Sequence, residues 1–255
     1  MADQDQGPPR SPTPIVDEKV IVLSNNYNIT ICVTSIKNKY GQRSLAKFKG
    51  EKEKLTKHSE YFAASLRFNK NHGPHEVALK DDDIGAMWVW LIYLHAEKEE
   101  DPMDQQGKDD DGHEEEDVSN DAANEKNGEP EEQADLFESD GVRNTDIARI
   151  WHIINAGDKY LLPANILRPF FEKWYAKNVS MVNMESDFAR QLALPCYLFD
   201  HAQGFATVTK WLAYKFGGHI TEKRPQGFKW KHVHLSPPDF VGKIILNKSL
   251  LILED

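Results

Sequence analysis

The fold is decided by two neighbouring runs of sequence, FKGEKEKLTKHSEYFAASLRF (residues 48–68) and HEVALKDDDIGAMWVWLIYL (residues 75–94). In the first run a strand-like pattern ends and apolar residues then recur at helical spacing, which predicts a strand followed by two short helices. In the second run a short alternating segment precedes three aspartates and a long apolar segment, which predicts a strand and then a helix. The order strand, helix, helix, strand, helix predicts an α/β (α+β) fold.

The helix that follows the three aspartates has the strongest periodic signal of the chain. Its apolar residues recur at helical spacing and widen into a stripe that covers most of its circumference: Ile84, Met87, Trp88, Trp90, Leu91, Ile92 and Leu94. The aspartates at positions 81–83 can accept hydrogen bonds from its free N–H groups and oppose the positive end of its dipole. We therefore expect this helix to be buried on most sides.

Three β-strands are predicted upstream of this stretch, at residues 19–23, 28–34 and 43–49. In the second of them, apolar residues at every second position from Ile29 alternate with polar or small residues, which is typical of a half-buried strand. Residues 1–18 are rich in Pro, Asp and Gln, so we predict that this N-terminal segment is disordered.

An acidic run interrupts the predicted elements between residues 97 and 140. It holds 20 acidic and 3 basic side chains, whereas the rest of the chain carries 28 basic and 21 acidic ones. A segment with so few apolar groups cannot bury enough surface to offset the entropy of ordering, so we predict that it is disordered. The formal net charge of −10 therefore does not describe the folded part, which is mildly basic.

A helical pattern resumes beyond the acidic run, with Asn144 or Thr145 as the predicted N-cap. One apolar stripe covers residues 147–154. A second helix is predicted to run to Lys177, with a kink or a new start at Pro169. The segment after the acidic run is therefore predicted to be α-helical.

Residues 179–255 are predicted to form a mostly helical C-terminal extension. Two apolar stripes indicate helices, the first of which Asp187 can cap, and Pro195 is expected to start a separate turn. Residues 219–237 are polar and lack periodicity, whereas a final helix is predicted at 239–246.

The order of these elements resembles the BTB/POZ domain, in the divergent form common in fungal proteins. The resemblance rests first on four spaced residues, Leu55, Ser59, Tyr61 and Phe62. It rests second on the block AGDKYL at residues 156–161, which is similar to the segment between the last two helices of BTB domains. It implies a BTB/POZ-like domain over residues 19–178, a small β-sheet flanked by an α-helical cluster, with the acidic run 97–140 as an insertion.

A domain of this family implies a non-enzymatic protein–protein interaction module, a dimerisation or docking scaffold. BTB domains commonly form homodimers through an N-terminal strand and the first helix, which correspond here to residues 19–34 and to the helix at Lys54. The expected partners are other proteins, including a second copy of this chain.

An alternative within the family is a substrate adaptor of a cullin ubiquitin ligase. Such adaptors carry an apolar-x-Glu triplet after the helix that bears Phe62, and Phe68-Asn69-Lys70 stands at the matching place. Phe68 keeps the apolar anchor, but Lys70 reverses the charge, which disfavours cullin docking. The residues that a cullin-like partner would contact are Tyr61, Phe62, Phe68 and Lys70.

A second alternative, from a different class, is a small enzyme with a site around Asp200 and His201. A cysteine could supply its nucleophile, but Cys196 lies among apolar residues, which raise the pKa of a thiol. His232 and His234 alternate in sequence without a Cys or carboxylate at ligand spacing. We therefore predict no catalytic residue, no metal site and no cofactor.

Composition also limits the cellular compartments and the classes of partner that we expect. The two cysteines are far apart in sequence, which excludes a disulfide framework and favours a reducing compartment. The N-terminal residues contain no apolar secretory segment, and the longest apolar run, 86–94, is too short to span a bilayer. Basic residues cluster only at Lys223-Arg224 and at Lys229 and Lys231, which does not favour nucleic acid. We expect an intracellular protein, cytoplasmic or nuclear, without membrane attachment.

Overall fold

The computed structural model describes residues 15–68, 76–96, 145–182, 184–215 and 221–234. Within these ranges the chain forms the strands β1 (Ile15–Val22), β2 (Ile29–Ser35), β3 (Arg43–Gly50) and β4 (Glu76–Asp82). It also forms α1 (Lys52–His58), α2 (Glu60–Phe68), α3 (Ile84–Ala96), α4 (Ile147–Lys159), α5 (Arg168–Asn178), α6 (Ser186–Leu198) and α7 (Ala202–Lys215), with a 3-10 turn at Ala164–Leu167. The predicted α/β fold, a small sheet with helices around it, is confirmed.

The sheet has the strand order β1-β3-β2-β4 and contains both kinds of pairing. β2 and β3 pair antiparallel, with Ile31 opposite Phe48, while β1 pairs parallel with β3 and β4 pairs parallel with β2. Alternation along β2 buries Ile29, Ile31 and Val33, as its period-two pattern predicted. Phe48 lies opposite Ile31 and is also buried, so the two central strands define the core face of the sheet.

β1 begins at Ile15, earlier than the predicted start at Lys19. Ile15 pairs with Arg43, the first residue of β3, so residues 15–18 belong to the sheet and not to a disordered segment. The prediction was wrong here because Asp17 and Glu18 have low strand propensity. The carboxylate of Glu18 forms an ion pair with Lys47 Nζ of β3 at 2.7 Å.

α3 supplies much of the core. Its buried residues are Ala86, Met87, Val89, Trp90, Leu91 and Leu94. It packs against β2, β3, α1 and α4. Within the described ranges a hydrophobic cluster continues from the sheet through α3 and α4 to α6 and α7, so the segments before and after the acidic insertion share one core.

Two helix starts beyond the insertion have clear local causes. Asp146 is the N-cap of α4, because its carboxylate accepts a hydrogen bond from Arg149 N at 2.8 Å, and the predicted cap at Thr145 or the residue before it is wrong. α5 begins at Arg168, and Pro169 lies in its first turn. N–H groups in the first turn have no acceptor within the helix, so the N–H that proline lacks costs no helical hydrogen bond there. The predicted new start at Pro169 is therefore confirmed.

α6 continues through Pro195 to Leu198, so the predicted separate turn at this proline is wrong. Proline has no N–H, which leaves the carbonyl of Gln191, one helical turn upstream, without its usual donor. The indole N–H of Trp151 in α4 donates to that carbonyl at 2.9 Å. The helix accommodates Pro195 because a neighbouring helix supplies the missing donor.

Several predicted features fall outside the described residues: the N-terminal positions 1–14, the acidic insertion 97–140, Lys70, and the final helix at 239–246. Phe68 is described only as the last residue of α2. Residues 221–234 contain neither helix nor strand, which agrees with their lack of periodicity. Among the helices described above, none has the length and apolar character needed to cross a membrane.

Candidate functional site

A buried hydrogen-bond network joins the segments on either side of the acidic insertion. Ser59 lies between α1 and α2 with 1% of its surface exposed, and its Oγ accepts a hydrogen bond from Phe62 N at 3.1 Å. The same hydroxyl donates to the main-chain oxygen of Tyr160 at 2.6 Å, across 101 positions in sequence. Ser59 therefore caps α2 and attaches the end of α4 to it.

Asp82, at the end of β4, is the second point of attachment. Its buried carboxylate accepts hydrogen bonds from Tyr160 Oη at 2.5 Å and from Lys159 Nζ at 2.9 Å. Burial, followed by the bond to Asp82, raises the pKa of the Tyr160 hydroxyl above its ordinary value, so the phenol stays protonated and remains a donor. Asp82 is thus both charge-paired and hydrogen-bonded, as a buried carboxylate needs to be.

A β-bulge turns Asp82 toward the core. Val77 and Leu79 face inward at every second position of β4, so regular alternation would turn Asp82 to solvent. Asp81 adopts a φ of 63°, and the register of β4 against β2 shifts at the same level. The extra residue reverses the alternation and buries Asp82.

Two of the four predicted partner-binding residues lie beside this network. Phe62 is fully buried and stacks on the ring of Tyr160, with centroids 5.8 Å apart. Tyr61 is partly exposed and meets the same ring edge-on at 5.0 Å. Phe62 is therefore a core residue that offers no surface to a partner, whereas Tyr61 can be contacted from solvent. The side chain of Phe68 and all of Lys70 lie outside the described part of the chain, so the cullin-adaptor alternative stays a prediction.

His95, in the last turn of α3, caps α1, and sequence reasoning missed this role. Its Nε2 accepts a hydrogen bond from Glu51 N at 2.8 Å, and its Nδ1 lies 2.6 Å from Leu91 O, to which it donates. A Cβ at Gly50 would lie 2.5 Å from that Nε2, so glycine is needed for the imidazole to approach. Burial lowers the pKa of His95, which keeps the ring neutral and able to accept.

β1 is the outer strand on its side of the sheet, and most of its side chains are exposed. The exposed fractions are 52% for Ile15, 54% for Val16, 56% for Val20 and 45% for Val22, and we name these four residues the β1 edge. Among the described strands β1 pairs with β3 alone, so one side of its backbone has no strand partner there. An unpaired edge that carries aliphatic side chains is suited to join another chain.

A cavity of about 260 Å³ lies between α4, α6 and residues 221–234. Its wall is mainly apolar and includes Trp90, Ile154, Leu162, Ala164, Leu198 and Phe199. Asp158, His232 and His234 add polar groups to the lining, and His232 Nε2 lies 3.6 Å from the exposed carboxylate of Asp158. His232 and His234 therefore line the same cavity, and the carboxylate of Asp158 lines it with them.

The other residues of the enzyme hypothesis have structural roles. His201 Nδ1 accepts a hydrogen bond from Gly204 N at 3.0 Å and so caps α7. The carboxylate of Asp200 forms an ion pair with Arg168 at 3.0 Å. Cys196 is buried within α6, and burial raises its pKa to about 12, which keeps it a thiol. Asp200 and His201 are not among the residues that line the cavity with His232.

Both cysteines, Cys32 and Cys196, are free and buried. Within the described ranges, no three His, Cys, Asp or Glu side chains are grouped so as to hold a metal ion. The chain matches no protein-family model, and no curated protein sequence matches it. Its function is therefore inferred from its sequence and geometry.

Proposed function

We propose that this chain is a non-enzymatic interaction module of the BTB/POZ type, which joins two copies of itself through the β1 edge. The observation that carries this proposal is the exposure of four aliphatic side chains on an outer strand. The observed order of three strands, two helices, a strand and a helix supports it, because this is the order on which the family resemblance rests.

The charges of β1 suit antiparallel pairing with a second β1. A twofold axis at Glu18 would place Val16 opposite Val20 of the copy, and Asp17 opposite Lys19 of the copy. The two Glu18 carboxylates would meet at the axis, but each is already paired with a lysine of its own chain at 2.7 Å. Unpaired backbone groups of one strand would bond those of the other, as in strand addition to a sheet edge.

The first helix is the natural second contributor to such an interface. A strand of eight residues covers less than the roughly 800 Å² per partner that a stable interface buries. α1 begins just after β3, at the end of the sheet where Val22 pairs with Lys49. The proposed interface therefore extends from the β1 edge onto α1.

Molar mass from light scattering tests the proposal with charge substitutions at the facing pair. Native protein is expected at twice the chain mass of 29.2 kDa. The double variant Val16→Lys and Val20→Lys places like charges opposite each other and is expected at the mass of one chain. The double variant Val16→Glu and Val20→Lys restores opposite charges and is expected to return to the dimer.

Val182→Lys is the matched control, since Val182 is 92% exposed and lies in the turn that follows α5, outside the strands. It should leave the molar mass unchanged. A native protein that stays at the mass of one chain up to about 100 μM would rule the proposal out. Equal dissociation by the control and the β1 variants would show that the interface lies elsewhere.

A further inference from the structure

The cavity between α4, α6 and residues 221–234 has an apolar interior and a polar, open side. Trp90, Phe199 and Val233 line it and are buried, so they form its inner wall. Asp158 and His232 line it as well, but their side chains are mostly exposed. A ligand in this cavity would therefore meet apolar groups inside and polar groups at the entrance.

The volume of the cavity, about 260 Å³, limits the size of such a ligand. An apolar cavity of about 150 Å³ in a protein interior binds one benzene molecule, whereas sites for drug-sized ligands start at about 300 Å³. A bicyclic aromatic group such as indole therefore fits the interior, and a nucleotide or a larger cofactor does not.

Asp158 gives the open side a negative charge that is incompletely paired. Within the described ranges its carboxylate has one ion-pair partner, His232, whose Nε2 lies 3.6 Å away and is too far for a hydrogen bond. The neighbouring Lys159 does not neutralise it, because its Nζ binds Asp82 at 2.9 Å. Asp158 also lies in the last turn of α4, where the helix dipole is negative. The entrance is therefore suited to a cationic group.

We propose that the cavity binds a small aromatic amine, whose rings occupy the apolar interior and whose ammonium group donates to the carboxylate of Asp158. Burial of the rings would supply most of the affinity, and the charge-assisted hydrogen bond would supply the selectivity. An anionic ligand of the same shape would face two negative groups, the carboxylate and the end of α4. The proposal does not depend on self-association through β1, because the cavity is lined by helices, the connection after α4 and residues 221–234.

Three indole compounds of nearly equal size test the proposal: the cation tryptamine, the neutral alcohol tryptophol and the anion indole-3-acetate. In calorimetric titrations of the full chain, one tryptamine per chain is expected to bind, about five- to tenfold more tightly than tryptophol. Indole-3-acetate is expected to bind more weakly than tryptophol. The absence of saturable tryptamine binding up to about 5 mM, or equal affinity for the three compounds, would overturn the proposal.

Asp158→Asn removes the charge and keeps the size of the side chain, so this variant is expected to bind tryptamine and tryptophol with equal affinity. Glu172→Gln is the matched control, because it removes a carboxylate on the surface of α5 that does not line the cavity. It should keep the full preference for tryptamine. A preference that survives Asp158→Asn would show that another group selects the ligand and would overturn the proposal.

Filling the cavity should remove binding of all three compounds. Ala164→Trp is expected to do so in protein whose circular dichroism stays native, and Ala164→Leu, which adds less volume, should weaken tryptamine binding several-fold. Ala206→Trp, at an exposed position of α7, is the matched control and should leave the affinities unchanged. Tryptamine binding that is unaffected by both substitutions at Ala164 would place the site elsewhere and contradict the assignment of this cavity.

Discussion

Tyr160 attaches three parts of the molecule through different atoms. Its main-chain oxygen accepts the hydrogen bond of Ser59, its hydroxyl donates to Asp82, and its ring stacks on Phe62. Each of these partners precedes the acidic insertion, whereas Tyr160 follows it. The residue therefore holds the end of α4 against α2 and β4.

Tyr160→Phe is expected to destabilise the protein by about 1–3 kcal/mol, since a buried carboxylate loses one of its donors while the ring remains. Urea unfolding measures the change as a lower midpoint with an unaltered slope. Tyr214→Phe is the control, because Tyr214 is 59% exposed on α7. A free energy of unfolding within about 0.5 kcal/mol of the native value would contradict the structural role given to this hydroxyl.

His95 makes stability depend on pH. Burial lowers its pKa in the folded state, so below the ordinary value of 6.5 the unfolded chain binds the proton more readily. Stability is therefore complete above that value and falls as the pH drops below it, by up to about 1.4 kcal/mol per pH unit. His152, whose pKa burial also lowers, adds to the same slope.

His95→Gln is expected to reduce this slope without abolishing it, because His152 still titrates. Unfolding free energies between about pH 7 and about pH 5 measure the two slopes. Identical slopes for the variant and the native protein would mean that His95 is not held neutral by burial.

α6 lacks one helical hydrogen bond because of a proline, and a side chain of α4 supplies the missing donor. Pro195 removes the N–H that would serve the carbonyl of Gln191, and Trp151 of α4 replaces it. The two helices are therefore joined by a polar contact as well as by their apolar faces.

A double-mutant cycle at this contact has a definite expected sign. Trp151→Phe should cost about 1 kcal/mol more in the native background than in Pro195→Ala, because alanine supplies an N–H to the same carbonyl. The smaller volume of phenylalanine affects both backgrounds and cancels in the difference. Equal costs of Trp151→Phe in the two backgrounds, measured by urea unfolding, would show that the carbonyl does not need the indole.

Elements with a strong local period were predictable from sequence. β2 and α3 are examples, because alternation in the strand and the apolar stripe of the helix report burial directly. Asp82 and His95 were not predictable, since their roles depend on a bulge and on partners far away in sequence. The local sequence predicts that the three aspartates cap α3. Asp83 does accept a hydrogen bond from Ala86 N at 2.8 Å.

At the scale of the whole molecule, the described segments on both sides of the insertion form one hydrophobic core. The elements of the C-terminal extension, α6 and α7, belong to that core and are not a separate unit. Function is therefore proposed for surfaces that this core leaves uncovered, the β1 edge above all. Tyr61 is a contact residue that the sequence predicts and that the structure leaves partly exposed, whereas the early start of β1 that exposes Ile15 and Val16 was not predictable.

Amide hydrogen exchange of β1, followed against protein concentration, tests the central claim most directly. Self-association through the β1 edge predicts that exchange at residues 15–22 slows as the concentration rises through the dissociation constant. β2 is the internal control, since it is paired on both sides and its exchange should not depend on concentration. In Val16→Lys with Val20→Lys, exchange at residues 15–22 should not depend on concentration, and the amides that point away from β3 should exchange quickly throughout. Exchange at residues 15–22 that is the same at all concentrations in the native protein would contradict the account.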